Sequence, residues 1–295
     1  MKSITGSLLA VVSIAACASS ALAQTLPTTQ PNYLQIYREE VKVGHDADHA
    51  KVEAGWPAAY EKAKSPYTYI ALASMTGPAE AWFVQPFQSH EAMGDAMQRD
   101  DEPGLAASLA QLRRADADQI NGARSILASA RKDLSHGAFP DSAKQRFYEI
   151  TIFRVRPGHV RDFEAAAKAY GAAADRAAPG LSYRVYEVMA GMPSPTYLVF
   201  SSVTAYAGFD KAVADDQAIG KAFTAEEQET LQKFSAEGLV NTETIRFRLD
   251  PRMSYVPPEV RAQDPSFWKQ GQVPALARAG SKPASKAAPK VDATR

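Results

Sequence analysis

The chain has 295 residues, with 33 Lys and Arg against 33 Asp and Glu, and a single cysteine. Balanced charge argues against a nucleic-acid partner, which would want a basic face on the folded part. One thiol, Cys17, leaves no cysteine pair for a disulfide or a cysteine-built zinc site.

Met1 to Ala23 carries Lys2, an apolar run from Leu8 to Ala16, and Ala21-Leu22-Ala23 before Gln24. That is the order of a secretory signal peptide. Cleavage after Ala23 predicts an exported protein, periplasmic or extracellular, whose mature chain has no thiol. Ile14-Ala15-Ala16-Cys17 resembles a lipoprotein box, so a lipid anchor on Cys17 is the minority reading, Ile being a poor first residue there. No later run approaches the roughly 20 apolar residues of a membrane-spanning helix.

Residues 24–32, with Pro27 and Pro31, read as an extended lead-in. Residues 33–43 alternate around β-formers and end at Gly44, which predicts a strand and turn. Residues 46–64 space Ala50, Ala54, Ala58 and Ala63 among charges, which predicts a helix opened by Asp46, with a kink or later start at Pro57. Two aromatic strands, 66–75 and 81–87, meet at Thr76-Gly77-Pro78 as a hairpin. A helix capped by Ser89 (89–97), a helix over 104–118 and a strand over 123–130 complete the unit.

The same order then returns. Tyr33 to His45 is echoed by Phe147 to His159 at an offset of 114, Trp82-Phe83 by Tyr197-Leu198 at 115, and Ser135-His136 by Ser254-Tyr255 at 119. The second set is a helix over 160–177, strands over 181–189 and 196–202, helices over 204–213 and 224–237, and a strand over 243–249. The division expected is signal peptide 1–23, lead-in 24–32, first repeat 33–136, linker 137–146, second repeat 147–255 and tail 256–295. The tail, with five basic residues against one acidic from Ala275 onward, is expected to be mostly disordered.

Strand, helix, strand, strand, helix, strand is the split βαβ order of ferredoxin-like folds. The fold class predicted is therefore α+β: two tandem ferredoxin-like repeats with antiparallel sheets that cover each other, an intramolecular dimeric α+β barrel. Val43-Gly44-His45, Pro78 to Phe83 and Leu134-Ser135 in the first repeat, with Pro157-Gly158-His159 and Met253-Ser254 in the second, resemble the dimeric α+β barrel superfamily. Within it the chain is most similar to NIPSNAP-like proteins and their exported tandem relatives. The resemblance spans about 33–136 and 147–255. The superfamily holds cofactor-independent monooxygenases, isomerases, chlorite dismutases and dye-decolourising peroxidases, so fold does not select an activity.

Among candidate site residues, the aromatic strands stand out. Tyr37, Tyr69, Trp82, Tyr183 and Tyr197, with Glu149 in mid-strand, suit either the packing between sheets or a pocket with apolar walls and a few polar tips. Glu149 at an inward position would need a partner such as Arg184. His45, His49 and Glu53 fall at i, i+4 and i+8, a spacing able to gather a divalent metal, but with no obvious fourth ligand. Surface histidines on a charged helix are the plainer reading. His90, facing Ala205 in the second repeat, is a candidate proton carrier.

No phosphate loop, nucleophile elbow or Cys-x-x-Cys occurs. The expectation is thus a small-molecule-binding or scaffolding protein for an apolar or aromatic ligand, with no cofactor and neither haem nor a divalent metal. The alternatives are a cofactor-independent monooxygenase or isomerase and a structural envelope protein. An internal pseudo-dimer is expected, open to further self-association.

Overall fold

A computed structural model describes residues 26–268; the stretch read as a signal peptide, Cys17 and the basic end of the tail lie outside them. In chain order the first half comprises β1 (Tyr33–Val41), α1 (Asp46–Glu53), α2 (Gly55–Lys62), β2 (Ile70–Ser74), β3 (Glu80–Phe87), α3 (His90–Asp100), α4 (Pro103–Asp116) and β4 (Ile120–Ala130). The second comprises β5 (Phe147–Val155), α5 (Val160–Ala177), β6 (Tyr183–Ala190), β7 (Thr196–Val203), α6 (Gly208–Ala222), α7 (Ala225–Lys233), a π-helical turn Phe234–Gly238 and β8 (Leu239–Leu249). Two short helices follow, α8 (Pro258–Gln263) and α9 (Pro265–Trp268).

Every strand pair is antiparallel, and the strands close into one barrel in the order β1-β3-β2-β8-β5-β7-β6-β4. Each half supplies a four-stranded ferredoxin-like sheet, and the two are joined edge to edge by β2 with β8 and β4 with β6. Closure leaves no free sheet edge. Ser254 Oγ accepts from the Ala71 amide at 2.9 Å and donates to the Asp250 carbonyl at 2.7 Å. Ser135 Oγ does the same between Val185 and Arg131, at 2.9 Å in both bonds. Each serine thus clips the end of one half to the second strand of the other.

Alternation along the strands divides the side chains between lumen and outside. Leu34, Ile36, Leu72, Trp82, Val84, Ile126, Tyr148, Ile150, Tyr186, Leu198, Ile245 and Phe247 come from all eight strands and form one buried cluster, the lumen core. The helices pack on the outer face. There Ala50, Ala71 and Met253 form one small core in the first half, while Phe163, Tyr183, Val185, Tyr197 and Phe234 form a larger aromatic one in the second.

Several local expectations are corrected. Helix 46–64 is two helices that break at Ala54, with Pro57 in the first turn of α2, where a missing N–H costs nothing. Gly55 belongs at the break, since a Cβ there would lie 2.5 Å from Leu112 Cδ2 of α4. Ser89 caps α3 by accepting from the Ala92 amide, but Thr204 caps nothing, because α6 begins at Gly208 behind Ala207. The reason is register. Ala73 pairs with Ala81 whereas Glu187 pairs with Tyr197, so the second hairpin is longer by two residues rather than one. Trp82 therefore corresponds to Leu198, and Tyr197 to Ala81.

Residues 256–268, assigned to the tail, are packed. Val256, Val260 and Trp268 join the lumen cluster, and Arg146 holds Asp264 at 2.8 Å. Among the described residues no helix is long and apolar enough to cross a membrane.

Candidate functional site

Four ionisable side chains meet between helices and sheet in the first half. Glu39 projects outward from β1, His49 and Glu53 lie one turn apart on α1, and Asp116 ends α4. All are buried, with exposures of 7%, 2%, 3% and 5%. Their potential ligand atoms lie within 4.8 Å of one another. His49 Nε2 is 3.0 Å from Glu39 Oε2 and 3.6 Å from Asp116 Oδ1. Glu53 Oε1 and Asp116 Oδ1 are buried without a well-formed hydrogen bond.

Local structure explains the convergence. Asp46 and Asp48 in the first turn of α1 and Lys51 in its last complement the helix dipole. The i, i+4 pair then points inward from one face. Asp116 sits where the dipole opposes it, at a helix C-terminus. Burial pushes the Glu53 carboxyl up to about 9, with the Glu39 and Asp116 charges adding to the rise. Burial and then Glu39 push Asp116 up to about 6, against the pull of His49. Burying three carboxylates together is costly unless a proton or a cation offsets their charge.

Around this tetrad stand Phe83, whose ring centroid is 6.5 Å from that of His49, and Tyr69, 6.1 Å from Phe83. The Tyr69 hydroxyl is buried without a partner, and the buried Trp56 indole nitrogen stands beside Glu53, opposing the rise of its carboxyl. Burial, with Glu53 the first of the nearby charges, raises Tyr69 well above the ordinary tyrosine range.

The second half has no such site. By strand register Phe153 takes the place of Glu39, and by the following helix Phe163 and Ala167 take those of His49 and Glu53. Val41 pairs with Ile120 and Val155 with Leu239. Asp116 stands four residues before its strand and Phe234 five, the π-helical turn holding the additional one. Phe163 stacks on Tyr197 at 4.0 Å and meets Phe234 at 5.5 Å and Phe153 at 5.7 Å. An ordinary aromatic core therefore suffices to seat a helix on this sheet.

The residues singled out from sequence are dispersed. His49 and Glu53 belong to the tetrad; His45 instead places Nδ1 2.9 Å from Gln119 Oε1. The missing ligands of the i, i+4 pair are Glu39 and Asp116. Tyr69 borders the tetrad. Trp82 is in the lumen, where its Nε1 donates to Glu80 at 2.9 Å. Tyr37 is 47% exposed. Tyr183 stacks on His136 at 5.6 Å, and Tyr197 on Phe163, both in the second half. Glu149 is on the outer face, paired with Arg246 at 2.7 Å rather than with Arg184. His90 is exposed, its ring 4.4 Å from Tyr33. These aromatics do not line one pocket. An apolar cavity of about 100 Å³ does occur at one end of the lumen, bordered by Leu26, Leu34, Tyr148, Tyr186 and Phe200.

No family model matches the sequence, and no curated protein is similar to it. Solved structures share the fold. A protein described as a candidate monooxygenase from Fusobacterium nucleatum is 9% identical, with a TM-score of 0.50 over 75% of this chain and 93% of its own. A chlorite dismutase from Candidatus Nitrospira defluvii is 10% identical, with a TM-score of 0.46 over 80% and 96%. A haem-binding protein from Thermus thermophilus is 9% identical, with a TM-score of 0.39 over 77% and 95%. The fold is the dimeric α+β barrel.

These neighbours correct two expectations. The Fusobacterium protein is described as a monooxygenase, against the reading of a non-catalytic binding or scaffolding protein. The expectation of no cofactor, with haem and a divalent metal unlikely, is corrected to this extent: proteins that share the fold include one described as haem-binding. In this chain the layer between helices and sheet holds the tetrad in the first half and stacked rings in the second. The tetrad's donor set of one imidazole and three carboxylates fits a bare cation instead.

Proposed function

We propose that this chain is an enzyme acting on a small apolar or aromatic molecule, in the monooxygenase or isomerase class, with its chemistry in the first half at Glu39, His49, Glu53 and Asp116. The observation that carries this reading is the buried tetrad with two carboxylate oxygens that lack a well-formed hydrogen bond, set where the second half packs phenyl rings. The monooxygenase description of a protein with the same fold is in keeping with it.

Those two oxygens give the tetrad its chemistry. A carboxylate can take a proton from carbon beside a carbonyl, the C–H pair becoming a C=C bond as the carbonyl π pair moves onto oxygen to give an enolate. A protonated carboxyl beside it can donate to that oxygen. Returning the proton to another carbon is an isomerisation; dioxygen added at the enolate carbon gives, on protonation, a hydroperoxide that loses water to leave a carbonyl, the substrate itself being the reductant. His49 and Glu39, 3.0 Å apart, hold charge and orientation. We also read the two halves as tandem copies, as the NIPSNAP-like resemblance implies, and residues 1–23 as an export signal.

The test is deuterium exchange in D2O, followed by proton NMR on a panel of phenols and enolisable aryl ketones. The wild type should exchange carbon-bound hydrogen at least in one substrate, and Asp116→Asn and Glu39→Gln should slow it by about 10²- to 10⁴-fold. Exchange no faster than in buffer across the panel contradicts the proposal.

A further inference from the structure

We infer that the tetrad is a divalent cation site, which would hold Mn(II), Fe(II) or Zn(II) through Glu39, His49, Glu53 and Asp116. The inference rests on the proposed function only in placing the chemistry at this tetrad. With the ion bound, the two buried carboxylate oxygens would be ligands, so proton removal would fall to a carboxylate's second oxygen and the ion, in place of a protonated carboxyl, would face the enolate oxygen.

Three independent elements, β1, α1 and α4, each bring ligand atoms to one point, within 4.8 Å of one another. Ligand atoms about 2.0–2.3 Å from a common ion lie at most about 4.0–4.6 Å apart, so a small inward shift of these side chains would seat one. Glu53 Oε1 and Asp116 Oδ1 are fully buried without a well-formed hydrogen bond, the donors beside them being the Trp56 indole and, 3.6 Å from Asp116, His49. Buried acceptors in that state call for an occupant. A proton on one carboxyl relieves charge but leaves the second oxygen unsatisfied, whereas a dication satisfies both together with the imidazole. Three ionised carboxylates and one dication sum to a single negative charge, far cheaper to bury than three.

Donor chemistry narrows the ion. One imidazole among carboxylates suits first-row transition ions, while Mg(II) and Ca(II) prefer oxygen alone. Packing alone does not demand these residues, since Phe153, Phe163, Ala167 and Phe234 do the same structural work across the barrel.

The experiment uses mature protein stripped with chelator, then incubated separately with Mn(II), Zn(II) and, anaerobically, Fe(II), desalted and assayed by plasma mass spectrometry and thermal unfolding. The wild type should retain one ion per chain and melt at a higher temperature with it. His49→Gln and Asp116→Asn should fall to background retention and lose the shift. Circular dichroism and melting in chelator establish that each variant is folded, and Glu149→Gln, on the outer face away from the tetrad, serves as a folded control that keeps the ion. A folded wild type that retains none of the three ions, or equal retention by the tetrad variants, overturns the inference. Deuterium exchange that persists in chelator with no ion retained overturns the cation alone and leaves the enzyme reading standing. Retention without exchange does the reverse.

Discussion

Glutamine in place of Glu53 should make the chelator-treated protein more stable than the wild type by about 3 kcal/mol at pH 7, although it removes a charged residue from a buried ionic cluster. The folded-state carboxyl is raised from 4.5 to about 9, so between those values the folded chain binds a proton that the unfolded chain has released. Stability of the wild type is thus complete below about pH 4.5 and declines as pH rises toward 9. At pH 7 the decline spans 2.5 units above the ordinary value of 4.5, and each unit is worth about 1.4 kcal/mol. Glutamine has the shape of the protonated acid and needs no proton. The variant should therefore lack this slope and converge with the wild type in acid. Urea unfolding in chelator at pH 5, 7 and 8.5 measures it, and parallel pH profiles for the two proteins contradict it. If the tetrad binds a cation, adding that ion should reverse the order, since only the wild type gains from it.

Trp82→Ala is the second large effect, and it lies on the other side of the sheet. Trp82 is fully buried, meets Phe247 at 5.3 Å, lies under the Arg38 guanidinium at 5.1 Å, and donates to Glu80. Glu80 also accepts from Arg38 at 2.6 Å. Removing the indole opens a cavity that the closed barrel cannot collapse around and takes one donor from a buried carboxylate. The expected loss is about 3–5 kcal/mol, read as a lower urea midpoint at unchanged slope. Because no group of the tetrad is touched, the loss should be the same at pH 5 and pH 8. A loss below about 1 kcal/mol would mean that the lumen is not the packed core described here.

The strands of this barrel were legible because side chains repeat every two residues and the two halves keep a constant offset of 114 through β1 and β5. The offset misled in β3 and β7, where matching one aromatic to another paired Trp82 with Tyr197. Backbone pairing places Tyr197 one position earlier, so the two rings face opposite sides of the sheet wall. The packed residues after 255 were hidden by their composition, although Pro258 and Pro265 at helix starts and Trp268 beyond them are the signals of a short docked segment. At the site, His49 and Glu53 were readable from helical spacing. Glu39 and Asp116 were not, because only closure of β1 under α1 and α4 brings them near. An acidic residue in the last turn of α4, against the helix dipole, was the available hint, and the loss of both His49 and Glu53 to Phe163 and Ala167 in the second half was the other.

Four buried side chains in the first half, three of them carboxyls, bring their potential ligand atoms within 4.8 Å of one another. Carboxyl carbon-13 NMR on chelator-treated protein from pH 4 to 10 tests that shared burial most directly. One glutamate should titrate near 9 and one aspartate near 6, the first absent from Glu53→Gln and the second from Asp116→Asn. Glutamates and aspartates that all titrate near their ordinary values would contradict it.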